Sequence, residues 1–547
     1  MKKHLILIIA IVLCLSAVSV NASAHWNQIS VFVEGSYVYC DQPPIIVDGR
    51  TLVPLRAVCD SIGAQVRWTE STQTATITKG KTTLKLQVGN NMMQVSGESP
   101  VRLEVPPQVY NGRILLPIRN VVERFGYTVQ WRDSDRTVVI EEKGVIIVSG
   151  LGSTQAGGAA NWSRVSPVQQ FAYKDEGFAY AYAHEKRLII NTPGNTLRLE
   201  MRYPQLGDVI ADEDGNFFIV WGKTGASNTE QTIFISKYSP TGNHIKTTGF
   251  VGESMMGDNG NTKYPFQAGN CVSAIGGGRL MVNYAREMYN GHQSNNVIGV
   301  HLSDMSPVRW DSSWNIPYTS HSFNQSIIWS ENAGGFVYAD HGDAFGRGFI
   351  ITTDEWEKNL FHFYLEANSN YNMRIVNKTF AQLGGLAETS RGIALVGASA
   401  KSIGEAAKNE KQNLFIQIFD PLASTVSPSM FTGGAARSGA TSTNIYDNSN
   451  SPLTSVTDYG VRWLTDYTGA DVIAPQVVAA DDQLVILWST RDDTFYIVLS
   501  ASGEIVTPAT SLGGLQLNSF ERPVYHDGVL YWVSVVRDRL KVRSLEI

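Results

Sequence analysis

The chain has 547 residues, of which 44 are basic and 50 are acidic, and its formal net charge is −6. Without Lys2 and Lys3, which precede an apolar N-terminal run, the balance is 42 − 50 = −8. Because this charge is mild and no basic stripe is present, nucleic acid is excluded as an expected partner. The chain has four cysteines, too few for its fold to depend on a disulfide framework.

The segment 1–24 has the organisation of a secretory signal peptide. A basic start is followed by the mostly apolar run Leu5 to Val20 and by the small-x-small cleavage site Ala22-Ser23-Ala24. Leu13 precedes Cys14 where a lipobox would have a small residue, which argues against a lipoprotein anchor. A retained N-terminal anchor is the alternative. No later stretch has the roughly 20 apolar residues that cross a bilayer. We therefore expect a secreted or cell-surface protein without a membrane span after cleavage.

A gapless internal repeat follows the predicted signal peptide. The segment Pro43 to Arg56 returns as Pro106 to Arg119, and the offset in numbering is 106 − 43 = 63. The same offset relates Trp68 to Trp131 and extends through Ile77/Ile140. A repeat of this length indicates two copies of one supersecondary unit, at about 29–80 and 90–142.

Each copy reads as strand, turn, strand, short helix, strand, strand. Gly49-Arg50 and Gly112-Arg113 separate two apolar runs, as in a hairpin. The stretches 55–62 and 118–125 have apolar residues at helical spacing. Each stretch ends at a glycine, Gly63 or Gly126, which favours a helix C-terminus. We predict a small α+β domain over residues 29–142 in which the copies share one core.

The repeated motif resembles the copper amine oxidase N-terminal-like domain. The matching residues are Gly-Arg-x-Leu-Val-Pro-Leu-Arg at 49–56, its second copy at 112–119 and the two Gly-x-x-Val-x-Trp segments. The resemblance covers about a quarter of the chain. It implies a secreted protein of a Gram-positive bacterium in which the module is a stalk or accessory domain, without copper or quinone chemistry.

The sequence also argues against amine oxidase activity. The active enzymes share a Thr-x-x-Asn-Tyr-(Asp/Glu) motif and a His-x-His copper pair. The nearest string here, 441–447, is interrupted by Ile445, and the ten histidines include no His-x-His pair. We expect no cofactor and no metal. Cys40 and Cys59 lie in the same repeat, where one disulfide and two buried free thiols are equally compatible with the sequence.

The region 145–547 has a different composition, with sparse charge and frequent glycine and aromatic residues. A hairpin pattern, apolar strand, Gly- or Asp-rich turn, apolar strand, occurs seven times. The copies lie at 170–180, 209–221, 272–282, 326–338, 386–396, 477–488 and 523–533. This repetition predicts a β-propeller of six to eight blades, with seven as the best estimate. Tandem β-sandwiches are the alternative. The polar stretch 433–470 is expected to be a long surface insertion.

Three histidine-containing polar strings lie on two neighbouring predicted blades, near strand ends. In a propeller such positions meet at one mouth of the central channel, which makes them a candidate ligand site. The alternative is that these polar side chains have a structural role, in which they cap strands and form hydrogen bonds between blades. The candidate residues are Arg286, Tyr289, His292, His321, Asn324, Gln325, His341, Asp343 and Arg347.

Two functions fit these features. The first is a non-catalytic extracellular protein in which the stalk-like module presents a propeller that binds a cell-envelope glycan or an extracellular protein. The second is a secreted hydrolase or lyase that acts on polysaccharide at the propeller mouth. The chain has no nucleophile elbow, zinc-protease motif, P-loop or dinucleotide fingerprint, which favours the first.

Overall fold

The computed structural model describes most of the chain from residue 28 onward. The described residues are 28–148, 151, 165–253, 260–267, 269–309, 317, 319, 321–342, 348–353, 357–362, 381–402, 409–421, 461–514, 517–518, 522–536 and 538–547. The predicted signal peptide lies outside them, as does the part of the predicted insertion before residue 461. The chain divides into two compact units, residues 1–145 and 146–547.

Within its described residues, 28–145, the first unit consists of short strands and two short α-helices. The helices are α1 (Leu55–Ser61) and α2 (Arg119–Val122), the latter continued by a 3-10 turn at Glu123–Phe125. The strands are β1 (Ser30–Val33), β2 (Ser36–Val38), β3 (Ile45–Val47), β4 (Arg50–Pro54), β5 (Gln65–Thr69), β6 (Thr74–Lys79), β7 (Thr82–Gln87), β8 (Met92–Val95), β9 (Val101–Arg102), β10 (Gln108–Tyr110), β11 (Arg113–Leu116), β12 (Tyr127–Arg132) and β13 (Thr137–Glu142). They form three sheets, in the orders β12-β13-β1-β2, β10-β11-β4-β3 and β5-β6-β7-β8-β9.

The sequence repeat persists in the backbone of the first unit. Both hairpins turn on a residue pair with positive φ, Asp48-Gly49 and Asn111-Gly112. Such pairs match the twist of the flanking strands. Strands β4 and β11, one from each copy, pair antiparallel, and one apolar cluster contains buried residues of both copies. The predicted element order and shared core are therefore confirmed.

The second unit contains seven four-stranded sheets within its described residues, which we number as blades 1 to 7. Strand β14 (Val145–Ile147) lies at the outer edge of blade 7. The others are β15 (Val168–Tyr173), β16 (Gly177–His184), β17 (Arg187–Thr192) and β18 (Asn195–Glu200) in blade 1; β19 (Gln205–Ala211), β20 (Phe217–Gly222), β21 (Ile233–Tyr238) and β22 (His244–Phe250) in blade 2; β23 (Thr262–Pro265), β24 (Cys271–Gly276), β25 (Arg279–Met288) and β26 (Gln293–His301) in blade 3; β27 (Ser322–Ser330), β28 (Gly335–Gly342), β29 (Gly348–Thr352) and β30 (Glu357–His362) in blade 4.

The remaining strands complete the ring. They are β31 (Gln382–Thr389), β32 (Gly392–Ser399), β33 (Asn413–Phe419) and β34 (Arg462–Trp463) in blade 5; β35 (Ile473–Ala480), β36 (Gln483–Ser489), β37 (Thr494–Ser500) and β38 (Ile505–Gly513) in blade 6; and β39 (Val524–His526), β40 (Val529–Val536) and β41 (Arg539–Glu546) in blade 7.

The seven sheets close into a propeller. The innermost strands β15, β19, β24, β27, β31, β35 and β39 contact one another in this order, and β39 contacts β15. Each of the seven interfaces between neighbouring blades holds its own apolar cluster. Apolar burial between blades is thus the main stabilising term of the ring. Each of the seven predicted hairpins is formed by the innermost strand of a blade and the strand next to it, so the propeller prediction is confirmed and the tandem-sandwich alternative is wrong.

Candidate functional site

The predicted site residues lie on two adjacent blades. Arg286, Tyr289 and His292 belong to strand β25 of blade 3 and to the turn and strand that follow it. The blade 4 residues are His321, Asn324, Gln325 and His341. Asp343 and Arg347 lie outside the described residues. Seven of the nine predicted residues are therefore described, three on blade 3 and four on blade 4.

Arg286 is a structural residue of blade 3. Its side chain is only 1% exposed. Its Nε donates to Ser294 Oγ at 3.2 Å, and its Nη1 donates to Thr262 Oγ1 at 3.1 Å and to the Gly252 carbonyl. Since guanidinium groups are costly to bury without partners, these bonds account for its position. Arg286 does not face an open mouth, contrary to the site prediction.

The rings of His292 and His321 meet where the two blades adjoin. Their centroids are 4.9 Å apart, at an interplanar angle of 38°. The His321 amide donates to the Gln293 carbonyl at 2.9 Å, which fixes the start of blade 4 against β26. Burial, the neighbouring His321 and Arg286 lower the pKa of His292. Two imidazoles beside a guanidinium are a poor cation site, because the arginine repels the ion.

Tyr289 occupies a separate position in blade 3. Its ring lies 6.0 Å from Lys263 Nζ, and its hydroxyl is packed against Gly225. That hydroxyl is buried and has no hydrogen-bond partner among the described residues. Burial, Glu230 and Tyr264 raise the pKa of the phenol. Tyr289 therefore does not act together with the blade 4 residues.

Asn324 and Gln325 join three blades. The Asn324 amide donates to the Leu383 carbonyl of blade 5 at 3.0 Å and accepts from Asn270 of blade 3 at 3.0 Å. The backbone N–H of Gln325 donates to Asn270 Oδ1 at 2.7 Å, and the backbone N–H of Asn270 donates to Gln325 Oε1 at 3.1 Å. These polar groups form hydrogen bonds between blades, as expected if their role is to hold the blades together and not to bind a ligand.

A buried carboxylate that the sequence analysis did not select lies at the centre of this junction. Asp340 is 3% exposed. Its Oδ1 accepts from Gln325 Nε2 at 3.1 Å and from the Ser322 hydroxyl. Its Oδ2 accepts from Asn295 Nδ2 at 2.8 Å and from Asn283 Nδ2 at 3.2 Å. We call Asp340 and its four donors the Asp340 network.

The Asp340 network is neutral apart from the carboxyl itself. Burial raises the pKa of Asp340 to about 7, although all four hydrogen bonds act in the opposite direction. The donors come from β25 and β26 of blade 3 and from β27 of blade 4. The network therefore bonds one blade to the next at an interface that also contains an apolar cluster.

His341 follows Asp340 on the same strand and points away from the network, as alternation requires. Its ring packs edge-on against Phe349, with centroids 5.4 Å apart. Burial lowers the pKa of His341 to about 4. The imidazole is therefore neutral at neutral pH and is not a proton donor there.

Arg522 crosses the central channel from blade 7 to blade 4. Its Nη1 donates to the Ile327 carbonyl at 3.0 Å and its Nη2 donates to Ser326 Oγ. The cavity beside it has a volume of about 20 Å³ and is also lined by Asn270, Asn324 and Gln476. This volume holds about one water molecule. As lined by the described residues, this cavity is too small for a sugar or a peptide.

A second carboxyl lies near this guanidinium. Burial raises the pKa of Asp208, on the inner strand of blade 2, to about 7, while its bonds with Ser273 and Val209 and the charge of Arg522 lower it. The Val209 amide donates to Asp208 Oδ1 at 2.8 Å. Neither Asp208 nor Arg522 was predicted from the sequence, because each stands alone in its own segment.

Metal and disulfide chemistry can be assessed within the described part of the chain. No group of three His, Cys, Asp or Glu side chains there is arranged to hold a metal ion. Nor does any described helix have the length and apolar character needed to cross a membrane. Cys40, Cys59 and Cys271 are free thiols, so the structure has the thiol alternative and not the disulfide. Burial raises the pKa of Cys59 to about 12.

Comparison with known proteins identifies the first unit. A family model described as the copper amine oxidase N-terminal domain matches residues 32–156. The N-terminal module is a copper amine oxidase N-terminal domain. A protease inhibitor from Brevibacillus choshinensis is 32% identical over 121 residues, which are 22% of this chain and 36% of that protein. The chain thus spans about a third of the length of the curated relative that it matches.

Three solved structures represent those that are similar to the chain. They are the β-propeller domain of the Trilobed protease from Pyrococcus furiosus (9% identity, 82% of this chain and 97% of that chain, TM-score 0.29), a polysaccharide lyase (8%, 74% and 97%, 0.39) and Trypanosoma rangeli sialidase (9%, 67% and 56%, 0.28). Because their TM-scores are below 0.5, these similarities support no conclusion about the function of the chain. The closed ring of seven sheets establishes the fold.

Proposed function

We propose that the chain is a secreted or cell-surface, non-catalytic protein. In this proposal the copper amine oxidase N-terminal domain serves as a stalk and presents the propeller, which binds a cell-envelope glycan or an extracellular protein. The organisation of the segment 1–24 as a signal peptide supports export. Function is assigned from the site and not from the fold, because propellers support many activities.

The observation that carries the proposal is the Asp340 network. A hydrolase or lyase needs an acid and a base that reach the substrate. The carboxyl at the blade 3–blade 4 junction is buried and accepts four hydrogen bonds, and the neighbouring His341 is half-buried, with its pKa lowered to about 4. The hydrogen bonds of Asp340 hold two blades together, and the cavity beside Arg522 has room for about one water molecule among the described residues.

The alternative function, a hydrolase or lyase of polysaccharides, can be tested in the same experiment. Purified protein is incubated with a panel of immobilised cell-wall polysaccharides and with the matching soluble oligosaccharides. Retained protein, released reducing ends and unsaturated products are measured together. We expect retention on at least one polysaccharide, or capture of an extracellular protein, without any product.

Variants at two of the candidate site residues sharpen the result. Asp343→Asn and His341→Gln are compared with the surface variant Asp304→Asn, after thermal unfolding has verified that each variant is folded. Product formation that is lost in either of the first two variants and retained in the third would establish the enzyme and refute the proposal. Export is tested separately, by immunoblotting of culture medium, envelope and cytoplasm of expressing cells.

A further inference from the structure

An open groove lies on blade 1, outside the predicted site. Its volume is about 480 Å³, within the range of small-molecule sites. The lining residues come from β16 and from the hairpin that joins β17 to β18. They are Phe178, Tyr180, Asn191, Thr192, Pro193, Gly194, Asn195 and Thr196.

One wall of the groove is aromatic. The rings of Phe178 and Tyr180 are near-parallel, with centroids 5.9 Å apart. The row continues to Tyr182 at 6.4 Å and, across the seam with blade 7, to Tyr531 at 5.5 Å. The period-2 alternation of β16 places its three rings on one face. Since the two groove rings are half-buried, a ligand can pack on them at little cost in side-chain entropy.

The other wall offers amides and hydroxyls. The register aligns Tyr180 with Asn191 and Asn191 with Thr196, so these three side chains share one face. The Thr196 hydroxyl donates to Asn191 Oδ1 at 3.0 Å. The Asn191 Nδ2 is buried and has no acceptor among the described residues. A buried donor without an acceptor is destabilising, and a ligand oxygen would satisfy it.

The chemistry of the lining selects the ligand class. None of its eight residues is charged, so the groove provides no partner for a carboxylate, sulfate or ammonium group. Ring faces beside amide and hydroxyl groups match the C–H faces and hydroxyls of a sugar. We infer that the blade 1 groove binds a neutral oligosaccharide. This inference rests on the proposed function and names the site and the ligand class.

The test is a calorimetric titration of the full protein with neutral oligosaccharides of glucose, xylose and N-acetylglucosamine. Oligogalacturonate serves as the acidic comparator and an aromatic-rich peptide as the second comparator. We expect at least one neutral oligosaccharide to bind. Tyr180→Ala should weaken that binding about tenfold or more, since it removes one aromatic contact surface. Asn195→Ala should weaken it by a smaller factor.

The matched control is Tyr39→Ala, which removes a tyrosine that is 88% exposed and lies in the first unit. This variant should bind as the wild type does. Because Tyr180 also packs against Phe178, Thr196→Val provides a second test that removes a hydroxyl at constant volume. Thermal unfolding verifies that all variants are folded.

The outcomes are distinguishable. Binding that is unchanged in both Tyr180→Ala and Thr196→Val would overturn the groove and leave the proposed function standing. Binding only of oligogalacturonate or the peptide, or of none of the neutral oligosaccharides at millimolar concentration, would overturn the ligand class. Turnover of a bound oligosaccharide would refute the proposed function itself.

Discussion

The Asp340 network predicts an unusual pH dependence of stability. Burial raises the pKa of the Asp340 carboxyl from 3.8 to about 7. Between these values the folded state binds more protons than the unfolded state, so this carboxyl lowers stability as the pH rises from about 4 to about 7. A difference of about three pKa units corresponds to about 4 kcal/mol over the whole window.

The perturbation is Asp340→Asn, which preserves the shape and removes the titration. The free energy of unfolding is measured by urea titration of wild type and variant at several pH values between about 4 and about 8. Relative to wild type, the variant should gain up to about 4 kcal/mol as the pH rises through this range. The free-energy cost of placing an amide among four hydrogen-bond donors is the same at each pH, so it does not affect the difference in pH dependence between variant and wild type.

The control is Asp304→Asn at an exposed position. The Ser306 hydroxyl and amide both donate to Asp304, and these bonds lower the pKa of its carboxyl. The stability that the Asp304 carboxyl contributes should therefore be lost only as the pH falls below about 4, so Asp304→Asn and wild type should have equal pH slopes between about 4 and about 8. Equal pH slopes for wild type and Asp340→Asn would refute the description of Asp340 as a buried carboxyl that pairs two blades.

Three further predictions concern other parts of the chain. Arg522→Ala should lower the free energy of unfolding by about 2–4 kcal/mol, because it removes two charge-assisted bonds across the channel. Arg522→Lys should recover less than half of this loss in a urea titration, because lysine lacks the planar guanidinium that donates both hydrogen bonds. Full recovery would contradict this role of the guanidinium. Gly63→Ala and Gly126→Ala should each cost about 1 kcal/mol in the same assay, since their φ angles are 69° and 83°. Gly469→Ala, which adds a methyl group in open space, should cost nothing and is the control. The mature protein, denatured without reductant, should show three thiols on titration with a thiol reagent, because Cys40, Cys59 and Cys271 are free. In the folded protein these thiols should react slowly, because burial raises their pKa values. Detection of a single thiol would show that Cys40 and Cys59 are disulfide-bonded.

The fold was largely predictable from local sequence patterns. The internal repeat determines the two hairpins and the helix ends, because turns with positive φ need glycine at particular positions. The seven propeller hairpins are visible because each buries an apolar strand on either side of a turn. The second helix, α2, is shorter than predicted and ends in a 3-10 turn at Glu123–Phe125.

The site was less predictable because its contacts are distant in sequence. Asn283 and Asp340 are separated by 57 residues, and Arg522 and Ser326 by 196. No local pattern reports such pairings. Asp340 directly precedes His341, which was a predicted site residue. Because side chains alternate along a strand, these two side chains lie on opposite faces, so the prediction of His341 did not identify Asp340. The blade 1 groove likewise depends on the register between Tyr180 and Asn191.

The central claim is that the propeller binds a ligand on its surface while its polar mouth is structural. The most direct measurement is a crystal structure of the full chain with the neutral oligosaccharide that binds best in the titrations. Electron density for the sugar against Phe178 and Tyr180, with the Asp340 network and Arg522 unchanged, is the predicted result. Density for the sugar in the channel beside Arg522 and Asn324, with that network opened, would contradict the account.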